Sequence, residues 1–95
     1  DAQIGGRLGT ITGQKLCDIS THRQVILITH LPQIASFADH HYKVTKVVKS
    51  GRSLTQLQLL DRDERVKELA QMMSGEKESP IALKHAVDML TQAKR

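Results

Sequence analysis

The sequence predicts an α/β domain in which a helix, a buried parallel strand, a short helix, a β-hairpin and two C-terminal helices follow one another. Three observations predict this order. An unbroken aliphatic run is typical of a strand covered by helices on both faces, two extended segments flank a Ser-Gly turn, and two amphipathic stretches carry helix start and stop signals. A length of 95 residues leaves room for one small domain, so residues 1–95 are predicted to form a single domain.

The first helix is predicted over residues 4–20, where apolar side chains recur at helical spacing. Glycine inside a helix costs about 1 kcal/mol relative to alanine, so the presence of several glycines in this predicted helix needs a structural explanation. Either they let the backbone approach a neighbouring subunit or a ligand closely, or the helix begins late, after a glycine turn. These glycines are Gly5, Gly6, Gly9 and Gly13.

The buried parallel strand is predicted over residues 24–30, because the aliphatic row VILI occupies positions 25–28. A helix followed by such a strand is the second half of a βαβ unit, so we expect the preceding strand to lie outside this chain. Residue 1 is Asp rather than Met, and we therefore expect the chain to be part of a longer protein. Pro32 then starts a short helix that continues over residues 33–38.

A β-hairpin is predicted over residues 41–60, with Ser50 and Gly51 at the turn. In its second arm Leu57 and Leu59 alternate with glutamines, which predicts one face directed to solvent.

Two helices are predicted over residues 61–75 and 79–93. Asp61 and Glu64 have the spacing of a capping box, and Gly75 is placed to end the first of these helices. Ser79 is a predicted cap, and Pro80 the first residue of the second helix. We expect their apolar faces to pack on each other or on the sheet.

The formal net charge is +4, and the excess lies in the first 60 residues. The densest basic stretch carries four positive charges without an acid and could contact nucleic-acid phosphates. The alternative is a solvated hairpin whose lysines prevent edge pairing. The four residues are Lys43, Lys46, Lys49 and Arg52.

Other features of the composition restrict the class of protein. Cys17 is the single cysteine, which fits a reducing compartment, and no apolar run is long enough to span a membrane. The N-terminus lacks the basic, apolar and small-residue segments that follow one another in a signal peptide. We therefore expect a cytoplasmic protein with no membrane partner. Phe37 and Tyr42 are the only aromatic residues, which argues against an RNA-recognition module.

No nucleotide cradle is recognisable. The stretch GTITGQK at positions 9–15 has glycines four apart, an extra Gln14 before Lys15, and Leu16 where a P-loop needs Ser or Thr. His30 is the most suggestive single residue, because ligands bind at the carboxyl ends of strands in open α/β sheets. There it could contact a phosphate or position a water, or it could be structural.

No metal site is predicted. His40 and His41 are neighbours on an extended segment and point to opposite faces, and no further ligand is spaced to join them. Cys17 has no evident activating partner and is not expected to act as a nucleophile.

The string QVILITHLPQIASFAD at positions 24–39, the basic hairpin, and ERVKELAQMMSG at positions 64–75 together resemble the C-terminal end of the RecN family of bacterial DNA repair proteins, which are relatives of the SMC proteins. The similarity covers essentially the whole chain. THLPQ at positions 29–33 followed by AD at positions 38–39 is specific to that family, whereas a strand ending in His would indicate only an ABC-type ATPase.

The resemblance implies that the chain is the C-terminal lobe of a P-loop (ABC-type) ATPase head in which ATP is sandwiched between two protomers. His30 matches the switch histidine that senses the γ-phosphate, and Asp1 matches the last residue of an Asp-Glu-x-Asp stretch. Gly5 stands where the wider ABC pattern has an Asp, so that cross-dimer contact is not carried over. The D-loop region at the dimer interface would comprise Asp1, Ala2, Gln3, Ile4, Gly5 and Gly6.

The resemblance also implies a function in DNA double-strand-break repair and recombination, driven by ATP and Mg²⁺ in a longer parent protein associated with the nucleoid. The Walker A lysine, the signature motif and a coiled coil would lie outside this chain. Its partners would be the rest of the same head, a second head in a homodimer, and DNA through the parent. The isolated chain is expected to carry no cofactor and to hydrolyse no ATP, because phosphoryl transfer needs the loop, its lysine and the metal together.

Two other functions stay open on the residues alone. One is a stand-alone basic module that binds DNA or another protein through the hairpin lysines. The other is a small histidine-dependent hydrolase, which has less support because no carboxylate or nucleophile is spaced to partner His30.

Overall fold

A computed structural model describes the backbone of residues 2–76 and 79–93 and the side chains of residues 6–76 and 79–93. The elements are α1 (Ala2–Ile19), α2 (Pro32–Ala35), β1 (Tyr42–Lys49), β2 (Arg52–Leu59), α3 (Arg62–Ser74) and α4 (Pro80–Ala93). The predicted mixture of helix and strand is confirmed. No helix in the described part of the chain has the length and apolar character needed to cross a membrane.

The hydrophobic core lies between α3, α4 and α2. Leu69 and Ala70 of α3 are completely buried against Ala86 of α4, and Ala35 brings α2 to the same cluster. Three of these four side chains are alanines, and small side chains let helix axes approach closely. We refer to α2, α3 and α4 together as the helical core.

Both ends of α3 form the capping interactions that the sequence predicts. The Asp61 carboxylate accepts a hydrogen bond from the Glu64 N–H at 2.8 Å, and the Glu64 carboxylate accepts one from the Asp61 N–H at 2.9 Å, so the capping box is complete. Gly75 ends the helix with φ 77°, and its N–H donates to the Gln71 carbonyl at 2.7 Å. At α4, the Ser79 hydroxyl accepts from the Ala82 N–H at 3.3 Å.

The predicted hairpin is also confirmed. β1 and β2 pair antiparallel, and Ser50 and Gly51 both have positive φ, at 52° and 74°. Two consecutive residues with positive φ are typical of a two-residue hairpin turn. The backbone twist of such a turn matches the twist of the two strands that it joins. The base of the hairpin contacts α3 through two polar pairs: Lys43 Nζ lies 3.0 Å from Glu68 Oε1, and Gln58 Nε2 donates to Glu64 Oε2 at 2.8 Å.

The predicted buried parallel strand over residues 24–30 is wrong for this chain. Residues 24–29 have no regular secondary structure, and the side chains of Ile26 and Ile28 are 83% and 94% exposed. A parallel strand needs neighbouring strands and covering helices. The only strands among the described residues are β1 and β2, and these pair with each other, so the row of aliphatic residues has no sheet to join.

Helix α1 packs on α2 through its glycines. A Cβ added at Gly9 would lie 3.0 Å from Gln33 Cβ, and one added at Gly13 would overlap the Phe37 ring, coming within 2.9 Å of Cε2. These glycines therefore permit close approach between two helices of the same chain, an arrangement that the sequence reasoning did not foresee. The opposite side of α1 leaves Leu8 and Ile11 exposed.

Candidate functional site

His30 lies at the surface where the extended segment 24–29 meets α2. The Leu31 N–H donates to the Thr29 hydroxyl at 3.0 Å, so this hydrogen bond closes the chain around His30. The Leu31 carbonyl in turn accepts from the Ile34 and Ala35 N–H groups, at 3.1 and 3.0 Å, where α2 begins. The imidazole is exposed, so a group brought from outside this chain can reach it.

The helix that follows His30 is fixed to the helical core. Ala35 and Ser36 are buried, at 9% and 4% exposure. From α3, the Arg65 guanidinium donates through Nη2 to the carbonyls of Ala35 and Ala38, at 3.3 and 3.0 Å. Together with the contact to α1, these interactions hold α2 from several sides and fix the backbone next to His30.

Arg65 and its neighbour His41 both lie in surroundings that shift their pKa values. Burial lowers the pKa of His41, and the positive charge of Arg65 lowers it further, while Glu68 opposes both effects. Burial also lowers the pKa of Arg65, with a further decrease from Arg62 and an opposing effect of Asp39. His41 Nδ1 and Arg65 Nε are buried without a hydrogen-bond partner.

Sequence reasoning missed both groups. Arg65 precedes Leu69 by four residues and so lies on the apolar stripe of α3, a signal that could have marked it as an inward-directed cation. For His41 the sequence was used only to judge a metal pair with His40. Among the residues that the structure describes, no group of three or more His, Cys, Asp or Glu side chains could hold a metal ion.

The four basic residues of the hairpin do not share one face. Alternation along the strands places Lys43, Lys49 and Arg52 on the face whose base contacts α3, and Lys46 on the opposite face. Lys43 is bound to Glu68, with Nζ to Oε1 at 3.0 Å, and Lys49 is paired directly with Arg52 beside the turn. Nucleic-acid contact by these four residues stays a prediction.

The face of the hairpin that carries Lys46 is mostly apolar and unpaired within the described structure. Tyr42 stands opposite Leu59, and Val44 stands opposite Leu57. The four side chains are between 53% and 69% exposed. We call this surface the outer hairpin face.

Helix α1 contains most of the predicted D-loop region. Asp1 lies outside the described residues, as do the side chains of residues 2–5, while the backbone of residues 2–6 forms the beginning of α1. A Cβ at Gly6 would lie 3.4 Å from Gln33 Nε2. The role of this segment at a dimer interface therefore stays a prediction.

A cleft of about 490 Å³ opens between the end of α1, the segment 36–39 that follows α2, and helices α3 and α4. Cys17, Asp39, Arg62 and Arg65 are among its lining residues, whereas His30 is not. The Cys17 Sγ lies 3.9 Å from the Phe37 carbonyl oxygen. The cleft and the exposed histidine are thus separate features of this chain.

The chain is similar over nearly its whole length to curated bacterial proteins named DNA repair protein RecN. It is 46% identical over 90 residues to that of Deinococcus radiodurans, 36% over 93 residues to that of Bacillus subtilis, and 35% over 94 residues to that of Streptomyces coelicolor. These alignments cover 95 to 99% of the chain but only 16% of each relative. No family model matches the chain.

Proposed function

This chain belongs to the RecN family of DNA repair proteins, and from that membership we propose that it is the C-terminal lobe of an ATP-hydrolysing head that acts in DNA double-strand-break repair and recombination. The chain spans about one sixth of its relatives, at 16% of their length. The activity, the ATP and Mg²⁺ that drive it, and the association with DNA in the nucleoid therefore belong to the longer parent in this proposal.

The observation that carries the proposal is the exposed aliphatic segment that ends at His30. Burial of apolar surface is worth about 25 cal/mol per Å², so side chains such as Ile26 and Ile28, at 83% and 94% exposure, stand far from their favourable environment. A parallel sheet supplied by the rest of the head would cover them. His30 would then stand at the carboxyl end of a strand, at the sheet edge where ligands bind.

In this arrangement the chain contributes one phosphate-facing group. His30 binds the γ-phosphate and orients it, while the phosphate cradle and the Mg²⁺ ligands come from the remainder of the head. The absence of a Walker A pattern from the sequence and of a metal-binding cluster from the described residues is compatible with this division. When bound, Mg²⁺ neutralises charge on the phosphates during transfer.

The test is His30→Ala in the full-length parent. Because His30 is exposed here, we expect the variant to fold, and we expect ATP turnover to fall by a factor on the order of 100, the range that a well-placed histidine contributes. Exposed His22→Ala is the matched control and should retain turnover. A parent that hydrolyses ATP equally well with and without His30 would contradict the proposal.

A second candidate function is DNA binding by the end of the hairpin, since Lys49 and Arg52 are both exposed and stand side by side. Phosphate contacts of this kind give salt-dependent affinity. In a gel-shift assay with the 95-residue chain, Lys49→Gln with Arg52→Gln should abolish binding, and Lys46→Gln on the opposite face should not. Equal loss in both variants would indicate only a general effect of net charge.

A further inference from the structure

Arg65 places its charged group on the backbone of another element. Its Nη2 donates to the Ala38 carbonyl at 3.0 Å and to the Ala35 carbonyl at 3.3 Å, across 27 and 30 residues of sequence. The guanidinium is half-buried, and burial lowers its pKa. Taking a cation out of water has a cost, so the contact with α2 has to be worth that cost.

The two carbonyls that Arg65 binds lie at the C-terminal end of α2 and just beyond it. A helix ends with carbonyl groups that have no partner further along the helix. Just after α2, the Ala38 N–H donates to the Ala35 carbonyl at 3.1 Å, and Arg65 is a second donor to that carbonyl. Arg65 therefore fixes the end of α2 to α3, whose Leu69 and Ala70 are completely buried in the helical core.

The same hydrogen-bonded unit contains His30 at its other end. Hydrogen bonds run from the Ala38 N–H back to the Ala35 carbonyl, from the Ala35 N–H to the Leu31 carbonyl, and from the Leu31 N–H to the Thr29 hydroxyl. His30 lies between Thr29 and Leu31. A displacement of the end of α2 is therefore transmitted through one turn of helix to the backbone that carries the imidazole.

We propose that Arg65 is a positioning residue for His30, acting through α2 on the placement of the imidazole without touching the nucleotide itself. This inference rests on the proposed function, because it takes His30 to be the group that meets the phosphate. Reacting groups displaced by about 1 Å can lose about 100-fold in rate, so a clamp remote from the chemistry can matter for turnover.

The experiment is a double-mutant cycle in the full-length parent, with ATP turnover and the KM for ATP as readouts. Arg65→Gln should lower kcat by about tenfold and change KM by less than about twofold, since only placement at the phosphate is lost. In a His30→Ala background the same change should lower kcat by less than about twofold, because the two residues act as a unit. Exposed Arg62→Gln, three residues earlier on α3, is the matched control and should leave kcat unchanged.

A second variant covers the case in which Arg65→Gln unfolds the parent, as judged by circular dichroism. Arg65→Lys keeps a cation that can donate to one carbonyl, so it should fold and lose about two- to fivefold in kcat, again only when His30 is present. A purely structural role would lower turnover by the same factor in both backgrounds.

The outcomes distinguish a failure of the positioning role of Arg65 from a failure of the proposed role of His30. If His30→Ala lowers turnover but the Arg65 and His30 losses multiply, or if neither Arg65 variant affects kcat, the positioning role is overturned and the proposed function stands. If His30→Ala has no effect, both fail. A loss at Arg65 that disappears without His30 supports the inference.

Discussion

Leu69 and Ile28 carry aliphatic side chains of the same size, but Leu69 is completely buried between α3 and α4, whereas Ile28 is 94% exposed. Leu69 belongs to the helical core, and Ile28 to the extended segment 24–29. The two regions differ in whether they can make their backbone hydrogen bonds and bury their apolar side chains without further partners. A helix makes its backbone hydrogen bonds within itself, and two successive helices can cover each other. A strand depends on neighbours for its hydrogen bonds, and those neighbours can be far away in sequence or absent.

This difference bears on the proposed function, because the exposed segment 24–29 leads directly to His30. Segment 24–29 and the outer hairpin face present aliphatic side chains to solvent, and Leu8 and Ile11 of α1 do the same. Contiguous exposed apolar surface is typical of places where other proteins bind, and under the proposed function these side chains would meet the rest of the head.

The largest effect should come from replacing Leu69 with alanine in the 95-residue chain. Removing a completely buried leucine costs about 2 to 5 kcal/mol of unfolding free energy, a large fraction of the stability of a small domain. Ile28→Ala is the matched control and should change the unfolding free energy by less than about 0.5 kcal/mol, because its side chain is in solvent. Urea titration followed by circular dichroism measures both changes.

The same pair of variants sharpens the comparison in the full-length parent. There we expect Ile28→Ala to cost about 2 kcal/mol or more, as for a core position, since the rest of the head would cover it. If Ile28→Ala is as harmless in the parent as in the chain alone, the segment is not a missing strand. If it is as costly as Leu69→Ala in the chain alone, the exposed placement of Ile28 is wrong.

Sequence reasoning succeeded for features that depend on nearby residues and failed for a feature that depends on distant partners. The capping box at Asp61, the stop at Gly75 and the hairpin turn at Ser50 and Gly51 were predictable because each depends on residues within a few positions. The aliphatic row at positions 25–28 correctly indicates a preference for a strand. The sequence also predicts that the preceding strand of the βαβ unit lies outside this chain, but it could not show that residues 24–29 have no regular secondary structure without it.

The surroundings of the candidate site were less predictable. His30 was identified from its place after the aliphatic row, which is a local signal. The contact of Arg65 with Ala38 spans 27 residues and depends on how α3 packs against α2. Likewise, the glycines of α1 predicted a close approach, but their spacing could not name α2 as the partner.

A smaller effect is expected at the edge of the helical core, where α1 packs against α2 and the Phe37 ring that follows it. Gly13→Ala would place a methyl group against the Phe37 ring, and overpacking of this kind costs about 1 to 3 kcal/mol, partly offset by the roughly 1 kcal/mol that alanine contributes to an isolated helix. Gly6→Ala has a nearest neighbour at 3.4 Å, the end of the Gln33 side chain, and should be neutral or stabilising. Hydrogen exchange of α1 amides distinguishes the two variants. Equal protection in both would mean that α1 does not pack closely on α2 at Gly13.

The smallest effect should be a dependence of stability on pH that originates at His41, where the base of the hairpin meets α3. Its backbone carbonyl accepts from the Leu60 N–H at 2.9 Å, which holds it beside Arg65 and Glu68. Because burial and Arg65 lower the pKa of His41 in the folded chain below the ordinary value of 6.5, the unfolded chain takes up the proton first as the pH falls. The contribution of neutral His41 to stability is therefore complete above 6.5 and decreases below it, until the lowered pKa of the folded state is reached.

The effect is small because Glu68 opposes the other two influences on the pKa. We expect His41→Gln to reduce the loss of unfolding free energy measured by urea titration between about pH 7.5 and pH 5.5, since a neutral amide takes up no proton in this range. His85→Gln, at an exposed position on α4, is the matched control and should retain the slope of the unmodified chain. Identical slopes for His41→Gln and the unmodified chain would show that His41 is solvated and that the burial which lowers its pKa is absent.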